Sequence, residues 1–304
     1  MTTATLTRRP SRSGETPRRR HVPRRVLIGD IGLHLGVLVA LLWAIFPLVY
    51  ILSAALNPSG SLDTSQLFPT SFSLTNFRFL FTTPNWDFPR WMWNSLLVCF
   101  LNALIAVFIG SCAAFAFSRL RFRGRRAGLA GLLLLQMFPA TLAFVALYIT
   151  FSHIGDVVPT FGLNSVWGLI LAYAGGAMGA NVWLLKGYFD TVPKELDEAA
   201  IVDGATHART FFTIVLPLVA PILVTVFMLS FIGTFSEFLI AGLFLQDNDK
   251  WTVAVGLYGL LRADRNKYFG PFCAGAMLST IPVMVLYFAF QRQLTGGLTA
   301  GSVK

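Results

Sequence analysis

Glu198–Pro221, EAAIVDGATHARTFFTIVLPLVAP, lies between two stretches that are each apolar enough to cross a lipid bilayer. Just before it, Thr191 is placed to cap a helix with Pro193 in its first turn. Glu195, Asp197 and Glu198 bring negative charge to the positive end of that helix dipole. Asp203-Gly204 then closes the helix, because glycine accepts the left-handed conformation of a C-terminal cap. A second helix is expected through Thr206 and Phe212 until Pro217 interrupts it. The segment therefore reads as helix, tight turn, helix on a membrane surface. Leu196, Ala199, Ala200 and Asp203 recur at helical spacing. A face built from alanine is a poor membrane anchor but fits closely into a groove on another protein.

The flanks set the fold class. The 304 residues are 55% hydrophobic and 12% charged, with a mean hydropathy of +0.65, beyond the range of soluble domains. Apolar runs occur at about 28–56, 91–117, 127–150, 165–189, 218–245 and 270–291. They are long and continuous, as helices of about 20 residues must be to cross hydrocarbon, and lack the alternation of a membrane β-barrel. An all-α polytopic membrane protein with six transmembrane helices is expected.

Charge gives the orientation. Arg8, Arg9, Arg12, Arg18, Arg19, Arg20, Arg24 and Arg25 precede the first run, and Arg119, Arg121, Arg123, Arg125 and Arg126 fill the short loop after the second. Positive residues stay in the cytoplasm, so both termini are expected inside. Membrane insertion accounts for the net charge of +10, and no nucleic-acid partner is needed. Residues 1–27 lack the apolar side chains to pack and are expected to be a disordered cytoplasmic arm. Residues 28–291 form the membrane domain, with the cytoplasmic helices at about 191–216, and 292–304 form a cytoplasmic tail.

Other signals are weaker. Trp86, Trp91, Trp93 and Trp251 near the outer ends are expected to anchor at the interface, and the loop 57–90 to pack over the outer mouth without clear period. Gly175 and Gly179 form a GxxxG that Ala172, Gly176 and Ala180 extend, the pattern of a helix-packing seam in lipid. Cys99, Cys112 and Cys273 fall in apolar runs as small core residues. No GxxxxGK[ST], HExxH or GxSxG motif occurs, so no ATP use or catalysis is assigned to the chain itself.

Glu198, Ala199, Ala200, Asp203, Gly204, Ala205, Phe212, Ile214, Leu216, Pro217 and Pro221 together resemble the cytoplasmic signature of the permease subunits of binding-protein-dependent ABC importers. TFSEFLIA, from Thr234, is similar to the W-N-E-F-L segment of carbohydrate importers, with Phe235 and Ser236 in place of Trp-Asn. QRQLTGGLTAGSVK, from Gln291, is similar to the tail of the smaller permease subunit in maltose/maltodextrin importers. The resemblance implies a type I ABC importer permease fold working by alternating access, without cofactor or enzymatic activity of its own. The implied partners are a second homologous permease subunit, two ATP-binding subunits that hold ATP and Mg, an extracytoplasmic sugar-binding protein and membrane lipid.

In that family the cytoplasmic loop is the coupling helix, which assigns ATPase coupling to Glu198, Ala199, Ala200, Asp203, Gly204, Leu216 and Pro217. Gly297 and Gly301 are expected to bring the tail against the ATPases. For the translocation path, Ser236 and Glu237 lead, with Asn94 and Asn181; Asn102, Gln136 and Tyr148 are further polar residues in the spans. An ionisable residue in a span faces the bundle rather than lipid, which places Glu237 inward. The substrate reading is maltose or maltodextrin, with trehalose or another oligosaccharide as the alternative. An ion-gradient carrier, the rival from another class, would be marked by broken helices in paired halves and buried charges, and only Glu237 stands out.

Overall fold

A computed structural model of the chain describes residues 24–68 and 71–299. The expected arm at 1–27 lies almost wholly outside the described residues, as does Gly301. By its internal packing the chain divides into Met1–Val49 and Tyr50–Lys304. In the first unit the described residues belong to helix α1 (Arg24–Leu56), in which Gly32–Leu56 is apolar and long enough for one crossing.

The second unit begins with the last turns of α1. It continues through α2 (Thr75–Thr82), α3 (Phe88–Arg119), α4 (Arg125–Met137), α5 (Phe144–Val157), α6 (Val166–Gly175) and α7 (Ala180–Phe189). The segment after α7, expected above to be cytoplasmic, holds α8 (Glu195–Val202), α9 (His207–Thr210), a π-turn over Phe211–Val215 and α10 (Leu216–Leu218). Then come α11 (Ala220–Ser236), α12 (Leu239–Phe244), α13 (Val253–Asp264) and α14 (Phe269–Thr299).

The axis of this unit is α3. Asp87 caps it by accepting from the Arg90 amide at 3.2 Å, with Pro89 in the first turn. Its buried residues, among them Trp91, Ser95, Val98, Asn102, Ala106, Gly110, Ala114 and Ser118, recur three or four apart and line one face. α3 packs against α2, α6, α7, α11 and α13. Towards the outside, Trp91, Phe88 and Leu80 join Ala54, Leu257, Leu260 and Cys273 in one apolar cluster. Towards the cytoplasm, Ala114 and Phe115 meet Leu185, Phe189, Phe211, Val215, Val219 and Ile222.

The crossings are less regular than the apolar runs suggest. Gly32–Leu56, Phe88–Arg119 and Phe269–Gln291 are each long enough alone. Two bent pairs, Arg125–Met137 with Thr141–Val157 at 83° and His207–Leu218 with Ala220–Ser236 at 80°, raise the described spans to five. Pro139, which lacks an amide to continue the ladder, sits at the first bend. The fourth run, 165–189, is split into α6 and α7, each of ten residues. The GxxxG glycines are thus not a packing seam on one helix: Gly175 ends α6 and Gly179 precedes α7, with its Cα hydrogens turned towards the Gly176 carbonyl, where a Cβ would lie 3.3 Å away. Successive glycines lower helix propensity enough for the chain to turn there.

The fifth run breaks as well, after Ser236. Breaks within spans are therefore present in this chain, but the mark given above for an ion-driven carrier was breaks in paired halves together with buried charges, and breaks alone do not meet it. α14 runs through Gly296 and Gly297 to Thr299, so the first residues of the expected tail, 292–299, continue the last helix.

Three further expectations need correction. The external loop holds α2, whose Asn76 donates to the carbonyls of Ala55 at 2.9 Å and Asn57 at 2.8 Å and so satisfies the orphan acceptors at the end of α1. Trp91 is not an interface anchor: it is fully buried, its Nε1 donates to Asn248, and Gly256 comes so close that a Cβ there would lie 2.2 Å from the indole. Trp93 remains exposed. Thr191 caps no helix, since its hydroxyl donates to the Tyr188 carbonyl at 2.7 Å and α8 starts only at Glu195, after Lys194.

Candidate coupling site

The first turn of α8 carries Glu195, Asp197 and Glu198 at its positive end. Its other end closes as a Schellman motif: the Ala205 amide reaches back to the Ala200 carbonyl and the Gly204 amide to that of Ile201, each at 2.9 Å. Gly204 has φ +80°, a conformation in which a branched side chain is strained. Thr206 then caps α9 by accepting from the Arg209 amide at 3.3 Å.

The two faces of α8 differ. Ala200 is 6% exposed and packed within its own chain, so it does not belong to the free face on which the sequence placed it. Leu196, Ala199 and Val202, spaced three apart, are exposed, Val202 at 86%. Glu195, Glu198 and Asp203 flank them and are exposed too. The small-residue face is thus an apolar stripe with a carboxylate border, one position around the helix from the expected one. Leu216 packs half-buried against the cytoplasmic cluster, and Pro217 is exposed.

The segment is tied to the end of α3 by two consecutive residues that sequence reasoning passed over. Ser118 donates to Asp190 at 2.6 Å, and Lys186 bonds the second oxygen of the same carboxylate at 2.5 Å. Arg119 donates from Nη2 to the Val192 carbonyl at 2.7 Å, and its Nε lies 2.6 Å from Asp197 Oδ2. That last approach is ionic contact rather than an aligned hydrogen bond, since Nε and the Asp197 oxygens have no partner by hydrogen-bond geometry. Burial alone would push the Asp190 carboxyl up, but the hydrogen bonds from Lys186 and Ser118 and the charges of Lys186 and Arg125 outweigh it and hold it below the usual carboxylate range. Phe115 and Phe211 pack 5.0 Å apart beneath these ties.

Known proteins of similar sequence give the family. The family model described as binding-protein-dependent transport system inner membrane component matches residues 106–298. The chain belongs to this family. As an inner-membrane permease component it has full-length relatives. The maltose/maltodextrin transport system permease protein MalG of Yersinia pestis is 40% identical over 293 residues, covering 93% of this chain and 96% of that one. MalG of Escherichia coli strain K12 is 38% identical over 282 residues, covering 89% and 94%. Among solved structures, a bacterial ABC transporter involved in the import of the acidic polysaccharide alginate superposes with a TM-score of 0.73 at 20% identity, covering 90% of this chain and 98% of that one. The alginate transporter in complex with its alginate pentasaccharide-bound periplasmic protein gives 0.64 at 16%, covering 88% and 95%. The all-α permease fold expected from the sequence is the fold of this family.

Within the permease, the polar residues expected along a path are mostly engaged in structure. The Glu237 carboxylate accepts from the amides of Ile240 at 2.8 Å and Ala241 at 3.0 Å, and from the Tyr173 hydroxyl. This half-buried carboxylate thus holds the first amides of α12 and ties that helix to α6. Asn94 is buried and donates to the carbonyls of Asp249 and Trp251, each at 3.0 Å, fixing the outer loop rather than lining a path. Asn102 donates to Thr234 at 2.6 Å. Asn181 is half-buried within 3.4 Å of the Ser230 hydroxyl, and Ser236, exposed, donates only to the Ile232 carbonyl of its own helix. Gln136 and Tyr148 are exposed.

Proposed function

We propose that this chain is one of two homologous permease subunits of an ATP-driven importer of a maltose- or maltodextrin-type sugar. Two ATP-binding subunits, carrying ATP and Mg, supply the energy, and an extracytoplasmic binding protein supplies the sugar. The substrate class follows from relatives named for maltose and maltodextrin that align over nearly the whole chain.

The observation that carries the mechanism is the stripe Leu196, Ala199 and Val202 between Glu195, Glu198 and Asp203 on a capped, braced helix. An apolar helix face docks into a groove, and the carboxylates select a basic rim. ATP favours the closed form of the motor subunits; a helix gripped by them carries that preference into the choice between outward- and inward-open permease, because a ligand shifts an equilibrium only through a segment that differs between its states. Gly204 holds the turn behind the stripe, and Leu216 and Pro217 carry it into α11. Ser236 and Asn181 are polar side chains with capacity left for sugar hydroxyls.

Solubilisation in mild detergent and identification of what co-purifies tests the reading. An ATPase and a second permease are expected; the chain alone moving sugar into ATP-free vesicles would overturn it. In the complete transporter, Ala199→Trp is expected to abolish ATPase co-purification with the permease fold intact. Gly204→Val imposes about 1–3 kcal/mol of backbone strain on the turn and is expected to leave ATP hydrolysis running with sugar uptake lost.

A further inference from the structure

We propose that Arg119 is a positioning residue for energy coupling, locking the α8 segment and the second membrane span into one rigid piece. The inference rests on the reading of α8 as the segment gripped by an ATP-binding subunit.

Three attachments join eight residues of the segment to Ser118 and Arg119: Asp190 to the serine hydroxyl, and the Val192 carbonyl and Asp197 to one guanidinium. The planar guanidinium donates one aligned hydrogen bond, from Nη2 to the Val192 carbonyl, and meets Asp197 by ionic contact at Nε, so a single rigid group holds the α8 segment to the end of α3 at two points. An ammonium group offers no such fork. Since α3 packs against α2, α6, α7, α11 and α13, whatever moves α8 moves the axis of the bundle with it.

Membrane topology does not account for this arginine. Arg121, Arg123 and Arg126 beside it are exposed and satisfy the positive-inside rule without leaving water. The Arg119 side chain is only 6% exposed and that of Asp197 14%, so both charges have been largely desolvated. Stability does not account for it either. A buried ion pair is commonly replaced by apolar residues without loss, and this one leaves Arg119 Nη1 and Asp197 Oδ1 with no partner among the described residues. What the pair does provide is direction: it holds a lever at one angle, which an apolar contact of the same size does not.

The test uses the complete transporter in proteoliposomes and reads sugar moved per ATP hydrolysed. Arg119→Lys keeps the charge and loses the fork; Arg119→Met with Asp197→Leu removes both charges together and leaves neither orphaned. Both are expected to assemble with the ATPases and hydrolyse ATP, with the transport-to-hydrolysis ratio falling about tenfold in the double variant and less in the lysine variant. The thermal midpoint of the double variant is expected to match or exceed that of the wild type, which a purely structural role would not allow. A wild-type ratio in Arg119→Lys overturns the proposal, as does a double variant that loses stability and coupling in step. Gly204→Val is the control: if it too keeps a wild-type ratio, the coupling reading of α8 fails; if it uncouples while the Arg119 variants do not, only the brace fails.

Discussion

Ala199 and Ala200 are neighbours of the same type, and the structure sends them opposite ways. Ala200 is packed against its own bundle, so Ala200→Trp is expected to lower the thermal midpoint of the detergent-solubilised chain by several degrees, an overpacking penalty of about 1–3 kcal/mol. Ala199→Trp should leave that midpoint alone. A motif records that two small residues are wanted there; which of them faces inward depends on how the helix is rotated by its mounts, and these are long-range. Gly204 was legible for the opposite reason, since a positive φ at a C-cap is decided within a few residues. Arg119 was not legible, because its aspartate lies 78 positions away (197 − 119) and an arginine at a span end already has a topological explanation. Asp190 gives a pH signature. Its carboxyl is held below the usual range in the fold, so its contribution is present at neutral pH and disappears as pH falls through the folded value. The difference in thermal midpoint between wild type and Asp190→Asn is therefore expected at pH 7 and should shrink in acid.

Helix length was the least legible property of the elements. Hydropathy reports that 165–189 and 218–245 are apolar, and it is blind to whether the backbone turns inside them. The turns need compensation that only the fold supplies: glycines that tolerate the break between α6 and α7, and Glu237 at the start of α12. Glu237→Ala takes the acceptor from two amides and from Tyr173, and is expected to cost about 1–2 kcal/mol. Hydrogen exchange over α12 would register it as faster exchange at Ile240 and Ala241, while Asn94→Ala, acting on the outer loop, should leave those amides unchanged. Where a local signal was read, as at Asp203-Gly204 closing α8, sequence and structure agree, whereas the equally local caps at Asp87 before α3 and Thr206 before α9 were not read. Thr191 shows the limit, because its hydroxyl found a carbonyl of the preceding helix before it found an amide of the next.

The whole molecule was legible as a class and not as an arrangement. Composition sets an all-helical membrane protein, arginine placement sets an orientation, and the cytoplasmic motif sets the family. Orientation is testable on the intact chain: a cysteine at Arg123 is expected to react with an impermeant maleimide only from the cytoplasmic side, and one at Asp247 only from outside. The native thiols make that experiment clean, since Cys99 and Cys273 are buried and Cys112 partly so, all within helices of the bundle. The same placement bears on biogenesis. All three thiols lie within helices rather than in the connecting loops, so the packing of this bundle calls for no disulfide between them.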